Sequence, residues 1–283
     1  MSSSSHLTQK LKSTQEIEEI VASMKAFANY NVHSARHKLP YLRTYQRNIE
    51  DSVGDIVTIF PQLTKIEQTF PQKTIFVLFL SEEGLCGFFN ENILDFFSTI
   101  AEENHVTVII GETGAQEAKT RKLPCRQYLK GASNVEAIDT YTVELSAYLH
   151  ELVTTEHLST LNLVYAEHND QGSYDIVSKK ILPPDFSAFY KESIKKEPLL
   201  YLESHDILNA LIKEYLHTSC YRAFLESVAS ENQERFNSMN QAGNAIQERK
   251  QLIRLELNAF RQKEITEELL EIVNTYRSMI KKQ

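Results

Sequence analysis

The chain has 283 residues, of which 42% are hydrophobic and 24% charged, and its formal net charge is −8. This composition is typical of a folded protein with one or two domains, and the acidic balance argues against nucleic-acid binding, which needs a basic surface. No run reaches the roughly 18 apolar residues of a membrane span, the first residues predict no signal peptide, and the three cysteines match no zinc or redox spacing.

The first sixty residues contain one proline, Pro40, and one glycine, Gly54, after a serine-rich start. Apolar residues recur there at alternating spacings of three and four, which is typical of a coiled coil. The pattern predicts one long helix over 1–60, kinked or loosened near Pro40 because proline lacks the N–H of a helical bond. The apolar row consists of Val21, Ala28, Val32, Ala35, Leu39, Leu42, Ile49, Val53, Ile56 and Phe60.

The middle of the chain, residues 61–205, alternates short apolar runs with amphipathic stretches. Such alternation predicts crossover connections and a mostly parallel sheet, so we expect a Rossmann-like α/β domain. The predicted strands are Thr74–Leu80, His105–Ile110, Cys125–Leu129, Leu161–Ala166 and Tyr174–Leu182. The predicted helices are Asn92–Glu103, Ala115–Lys122 and Val135–Thr154.

Residues 206–283 contain no proline and only Gly243, which predicts a second long helix. A helix of that length needs a partner, and the sequence offers no third long helix. We therefore predict that the two terminal helices pair as an antiparallel two-stranded coiled coil beside the α/β domain. Near the end of this helix a stripe continues the same spacing, formed by Ile265, Leu269, Ile272, Tyr276 and Met279.

The candidate chemical motifs are weak. Gly84–Gly87 and Gly111–Gly114 each follow a predicted strand, but neither completes a dinucleotide or phosphate-loop motif, so we interpret both as turns. His33 and His37 lie four residues apart without a third metal ligand and are expected to be exposed. The sequence therefore predicts a non-catalytic protein with no catalytic residue, bound cofactor, metal or nucleotide.

Several motifs together resemble a known family. The loop at 84–92 reads GLCGFFNEN, residues 221–231 read YRAFLESVASE, and 258–273 match the pattern NxxRQxxITxELxEIV. Met24-Lys25 and Pro40-Tyr41 stand where that family has an AMK and a PY sequence. These features are similar to those of the gamma subunit of rotary F-type ATP synthases, over nearly the whole chain.

The resemblance implies a central-stalk rotor that couples proton or sodium translocation to ATP synthesis or hydrolysis. Its partners would be the hexamer of alpha and beta subunits, the epsilon subunit and the membrane c-ring. It implies a peripheral location on the cytoplasmic face of a bacterial inner membrane. It also implies a set of subunit-contact residues: Met24, Lys25, Arg261, Gln262, Thr266, Glu267 and Glu268.

The chain departs from the family where a basic run of the first helix is replaced by the acidic segment 16–24. Met24–Ala28 and the pair Leu269-Leu270 resemble an alternate, sodium- or proton-linked branch of bacterial ATPases. Two other functions stay open on the sequence alone. One is a coiled-coil scaffold without a rotary role, and the other is a small α/β enzyme with helical dimerisation arms.

Overall fold

The structure is a computed structural model that describes residues 3–64, 73–102, 105–156, 160–169, 173–191 and 199–280. Side chains at 3, 156, 276 and 278–280 lie outside the description, and these include the predicted stripe residues Tyr276 and Met279. Residue contacts group the chain into two compact units. The terminal unit comprises Met1–Phe27 and Phe236–Gln283, and the central unit comprises Ala28–Arg235.

Two long helices are confirmed. Helix α1 spans Ser3–Ile59 and helix α6 spans Ser204–Ile280, so both continue from one unit into the other. Helix α1 passes through Pro40 without ending. The predicted domain limits at residues 60 and 205 lie within a residue or two of these helix ends, and as domain limits they stay a prediction.

The elements between the two helices follow the predicted alternation closely. The predicted helices and strands are all present, with ends displaced by a few residues. A 3₁₀ turn, Pro61–Thr64, and a short helix, α5, at Phe186–Phe189 were not predicted. The strands are β1 Thr74–Phe79, β2 His105–Ile110, β3 Gln127–Leu129, β4 Thr160–His168 and β5 Tyr174–Leu182. The helices are α2 Phe89–Ile100, α3 Glu112–Thr120 and α4 Ile138–Glu156.

The five strands form one sheet in the order β3-β2-β1-β4-β5. Strands β3, β2, β1 and β4 are parallel, while β5 runs antiparallel to β4. All six residues of β1 are buried, as expected for a central strand covered on both faces. The prediction of a mostly parallel sheet is confirmed.

Alternate residues of β1 enter two different cores. Ile75, Val77 and Phe79 pack in the core that also contains residues of α1, α4 and α6. Phe76 and Leu78 pack on the opposite face with residues of α2 and α3. On the first face, the ring of Phe224 on α6 meets that of Phe79 edge-on, with centroids 5.0 Å apart. The sheet thus rests directly on the two long helices within the central unit.

The predicted apolar row of α1 forms its contact with α6 in the central unit. Ala28, Val32, Ala35 and Leu39 are all buried. The small alanines leave room for a close approach of the partner helix. Beside them, the Asn31 amide donates to the side-chain oxygen of Asn232 at 3.4 Å. A polar residue of α6 therefore meets a polar partner on α1 within this buried contact.

Candidate functional site

The terminal unit contains all seven predicted contact residues, and two groups of polar contacts define how its helices pair. Glu18 on α1 accepts hydrogen bonds from Gln247 and Lys250 on α6. Seven residues later, Lys25 donates to the side-chain oxygen of Asn240 at 2.6 Å and lies 5.2 Å from the centre of the Phe236 ring. Positions that advance along α1 thus retreat along α6, so the pairing is antiparallel as predicted.

This register determines where α6 loses its partner. Helix α1 begins at Ser3, fifteen residues before Glu18, and in an antiparallel pair that point lies fifteen residues beyond Lys250, near Ile265. Helix α6 continues to Ile280. We call residues 261–280 the C-terminal segment. Over most of the length of this segment, no described residue of α1 lies opposite it.

The C-terminal segment corrects one expectation. The stripe that begins at Ile265 was expected to pair with the first helix, but Ile265, Leu269 and Ile272 are 57%, 58% and 65% exposed. The reason is that α6 continues to Ile280, whereas the described part of α1 begins at Ser3, opposite about residue 265. The heptad spacing is real, but the surface that it creates is not covered by the described residues of this chain.

Five predicted contact residues lie on this segment and all are exposed. Thr266 donates through its hydroxyl to the backbone oxygen of Gln262 at 2.8 Å, and Lys263 lies 3.8 Å from the Glu267 carboxylate. Residues three and four apart share a helix face. Arg261, Gln262, Thr266, Glu267 and Glu268 therefore lie together on about two turns of helix.

Met24 and Lys25 are half-buried and stand apart from that group. The α6 residue that binds Lys25, Asn240, precedes Arg261 by 21 positions, which corresponds to about 32 Å along a helix. The structure therefore holds two separate groups of predicted contact residues. Among the described contacts, the ones that fix the register of the two helices in the terminal unit involve Glu18 and Lys25.

A buried carboxylate in the central unit joins three elements, α1, α6 and β4, and sequence reasoning missed it. Glu226 on α6 is fully buried. It accepts a hydrogen bond from Arg43 of α1 at 3.1 Å and another from the backbone N–H of His168 in β4 at 3.1 Å. Arg222, one turn away, lies 3.5 Å from the same carboxylate. These contacts fasten both long helices to the sheet.

Glu167 extends this network to β5. Lys179 donates to its carboxylate at 2.8 Å and Arg222 at 2.5 Å. Burial opposes ionisation of Glu167, but the hydrogen bonds and charges of Lys179 and Arg222 outweigh it, so the pKa of Glu167 lies below its ordinary value. The network is paired and does not present a free acid or base for catalysis.

The loop that carries the family-like motif GLCG is held from α6. The Arg235 guanidinium donates to the backbone oxygens of Glu83 at 2.9 Å and Gly84 at 3.1 Å. It also pairs with Glu231 at 2.5 Å. Burial raises the pKa of Glu231 to about 7, against the opposing effect of Arg235. Leu85 in this loop has a φ of 64° and is exposed.

The second glycine pair was predicted to be a turn, but Gly111 directly precedes α3 and Gly114 lies within its first turn. The Glu82 carboxylate accepts from the backbone N–H of Glu112 at 3.1 Å, at the start of α3, and from that of Gly131 at 2.7 Å. Gly111 has a φ of 103°, and a Cβ on Gly114 would lie 2.1 Å from the Leu80 Cβ. The glycines are therefore required by backbone conformation and close packing.

Metal and thiol chemistry have little basis in the described residues. Within them, no group of three or more His, Cys, Asp and Glu residues could hold a metal ion. His33 and His37 are exposed on α1, as expected. The three cysteines are unpaired thiols, and burial raises the pKa of Cys220 to about 12. None of the described helices is long and apolar enough to cross a membrane.

Comparison with known proteins identifies the class to which this architecture belongs. A family model described as ATP synthase matches residues 3–279. The chain belongs to the ATP synthase family. Two curated relatives are gamma chains. The one from Clostridium botulinum strain Hall is 27% identical over 94% of this chain and 95% of the relative. The one from Polynucleobacter asymbioticus is 26% identical over 96% of this chain and 98% of the relative.

Solved structures share the fold at low sequence identity. A rotor chain of the Euglena gracilis mitochondrial ATP synthase superposes with a TM-score of 0.61 at 16% identity, covering 93% of this chain and 98% of that one. A central-stalk chain of the Tetrahymena thermophila mitochondrial ATP synthase superposes with a TM-score of 0.60 at 23% sequence identity. The match covers 79% of this chain and 99% of that one. Family, relatives and fold agree with the prediction from sequence, so the gamma-type central-stalk role is confirmed.

Proposed function

We propose that this chain is the rotating element of the central stalk and that it turns within a hexamer of alpha and beta subunits. The epsilon subunit and the membrane c-ring complete the rotor. Rotation would couple proton or sodium translocation to ATP synthesis or hydrolysis. The observation that carries this proposal is the C-terminal segment, where α6 continues without α1 and exposes both an apolar stripe and a charged group.

An apolar helix face exposed over about two turns, as from Ile265 to Ile272, is unfavourable in water unless a partner covers it. The charged group beside it supplies contacts that can be exchanged, since exposed ion pairs contribute only about 0–1 kcal/mol each. A segment of this kind can be enclosed by a partner and still change its neighbours. That combination suits a shaft within a ring of similar binding surfaces.

We assign the contact with the catalytic subunits to Arg261, Gln262, Thr266, Glu267 and Glu268. Met24 and Lys25 would form a second contact about 32 Å away along the coil. In the free chain Lys25 is already bound to Asn240, so this second contact would act through the exposed edge of the paired helices.

The chain itself would be non-catalytic and would bind no nucleotide. The start of α3, where a phosphate could accept backbone N–H groups, is occupied by the Glu82 carboxylate. A phosphate at that position would meet a like charge. ATP would therefore be bound and hydrolysed by the partner subunits. The chain would lie at the membrane periphery, on the cytoplasmic face of a bacterial inner membrane.

The test is a coupled assay on the assembled complex. The double substitution Arg261→Ala and Gln262→Ala should lower the number of ions pumped per ATP hydrolysed. The rotor would lose the hydrogen bonds and ion pairs that these two side chains make with the catalytic subunit. The matched control is Arg47→Ala with Gln116→Ala, two exposed positions in the central unit. A double variant that assembles normally and keeps the parent's torque and coupling ratio would contradict the assignment.

A further inference from the structure

The central unit contains a cavity of about 560 Å³ that is lined by none of the proposed subunit-contact residues. It is formed by the end of α4, the end of β5, α5 and the first turns of α6. Its interior is apolar, with Leu208 and Leu216 only 4% and 5% exposed and with Val153, Leu182 and Phe186 beside them. The volume falls within the range of about 300–1,000 Å³ that is typical of small-molecule sites.

The polar side chains that line this cavity are all of types that can donate hydrogen bonds, and two of them, Thr154 and Asn209, already donate to groups of their own helix. His150 lies on α4, while His205, Asn209 and Lys213 lie on successive turns of α6. No carboxylate is among the described lining residues, although the chain carries 38 acidic and 30 basic residues. His150, His205 and Lys213 are exposed, so this donor group lies at the mouth and the apolar surface lies inside.

We propose that this cavity binds a small anionic amphiphile, with an alkyl chain inside and a single carboxylate or similar group at the mouth. Burial of each methylene contributes about 0.8 kcal/mol, and this term provides the affinity. The Lys213 ammonium selects the charge of the head group, and the His150 ring can donate one hydrogen bond to it. A nucleotide is unsuited, because its several charges would enter an apolar interior, and a cationic amphiphile would meet Lys213. The proposal is independent of the rotor function.

The test uses the purified full chain and decanoate as the probe. Decanoate should displace the fluorescent anion anilinonaphthalene sulfonate from the protein, and decanol should bind about fivefold more weakly because it lacks the charge. Lys213→Glu should weaken the binding of decanoate by about fivefold or more. The exposed ion pair between Lys213 and the decanoate carboxylate is lost, and the new glutamate repels that carboxylate. Val153→Phe should abolish binding by filling the cavity.

The matched control is Lys130→Glu, the same charge reversal after β3, at the opposite edge of the sheet from β5. It should bind decanoate like the parent. Because Lys213 is exposed, its replacement tests the proposal even if Val153→Phe destabilises the fold, which circular dichroism would reveal. Absence of displacement, equal affinity for decanoate and decanol, or equal binding by Lys213→Glu and the parent would each overturn the proposal.

Discussion

Removal of the Glu226 carboxylate tests whether the buried network in the central unit fastens the long helices to the sheet. In Glu226→Ala, Arg43 and Arg222 lose their shared partner and the His168 N–H loses its acceptor. Arg222 is only 19% exposed in its side chain but keeps its 2.5 Å contact with Glu167, and Arg43 is 39% exposed and can be hydrated. Removing one member of a buried pair costs about 3–5 kcal/mol, so we expect a loss near the lower end of that range.

A second substitution separates the loss of the negative charge from the loss of the whole side chain. Glu226→Gln keeps the shape and one acceptor oxygen, so it should cost less, about 1–3 kcal/mol. Urea unfolding followed by far-ultraviolet circular dichroism measures both. The control is Glu256→Ala, an exposed position on α6, which should change stability by no more than about 0.5 kcal/mol. If Glu226→Ala lowers the free energy of unfolding by no more than Glu256→Ala does, the network does not stabilise the contact between the long helices and the sheet.

Two further predictions concern single positions. Gly54→Ala should destabilise the chain by about 1–3 kcal/mol, because its Cβ would lie 2.2 Å from the Phe189 backbone oxygen. Gly243→Ala, which meets nothing within 4 Å, should stabilise α6 by up to about 1 kcal/mol; equal effects in thermal unfolding would refute the packing argument. The second concerns pH. Burial raises the pKa of Glu231 to about 7, so its folded state holds a proton more tightly than its unfolded state. The stability of the parent relative to Glu231→Gln should therefore be highest below pH 4.5, the ordinary pKa of a glutamate, and should fall as pH rises from there to about 7; a difference independent of pH would contradict this.

Periodicity predicted the fold because burial in this chain follows secondary structure closely. The row from Ala28 to Leu39 is buried at the spacing that the sequence shows, and the run TIFVLF forms a strand buried on both faces. Element ends were less accurate. Helix α2 begins at Phe89 rather than Asn92, because Asn90 bonds back to the backbone N–H of Ser81 at 2.9 Å and holds the first turn beside the strand end.

The site was harder to predict than the fold, for two physical reasons. Whether the stripe from Ile265 to Ile272 is covered depends on where the other helix begins, and spacing along one helix does not contain that information. Glu226 and Arg222 read as ordinary charges of a helix surface, yet they are buried by the sheet that packs across them. The contact residues of the C-terminal segment rest on family resemblance and stay a prediction. The same holds for the alternate ATPase branch.

The most direct measurement is single-molecule rotation of the assembled complex. A bead attached through a cysteine at exposed Gln116, in a chain whose Cys125 is replaced by serine, reports motion of the central unit while the hexamer is fixed to a surface. If this chain is the rotor, ATP hydrolysis should turn the bead in one direction in repeated steps. ATP hydrolysis at the normal rate with a stationary bead would contradict it.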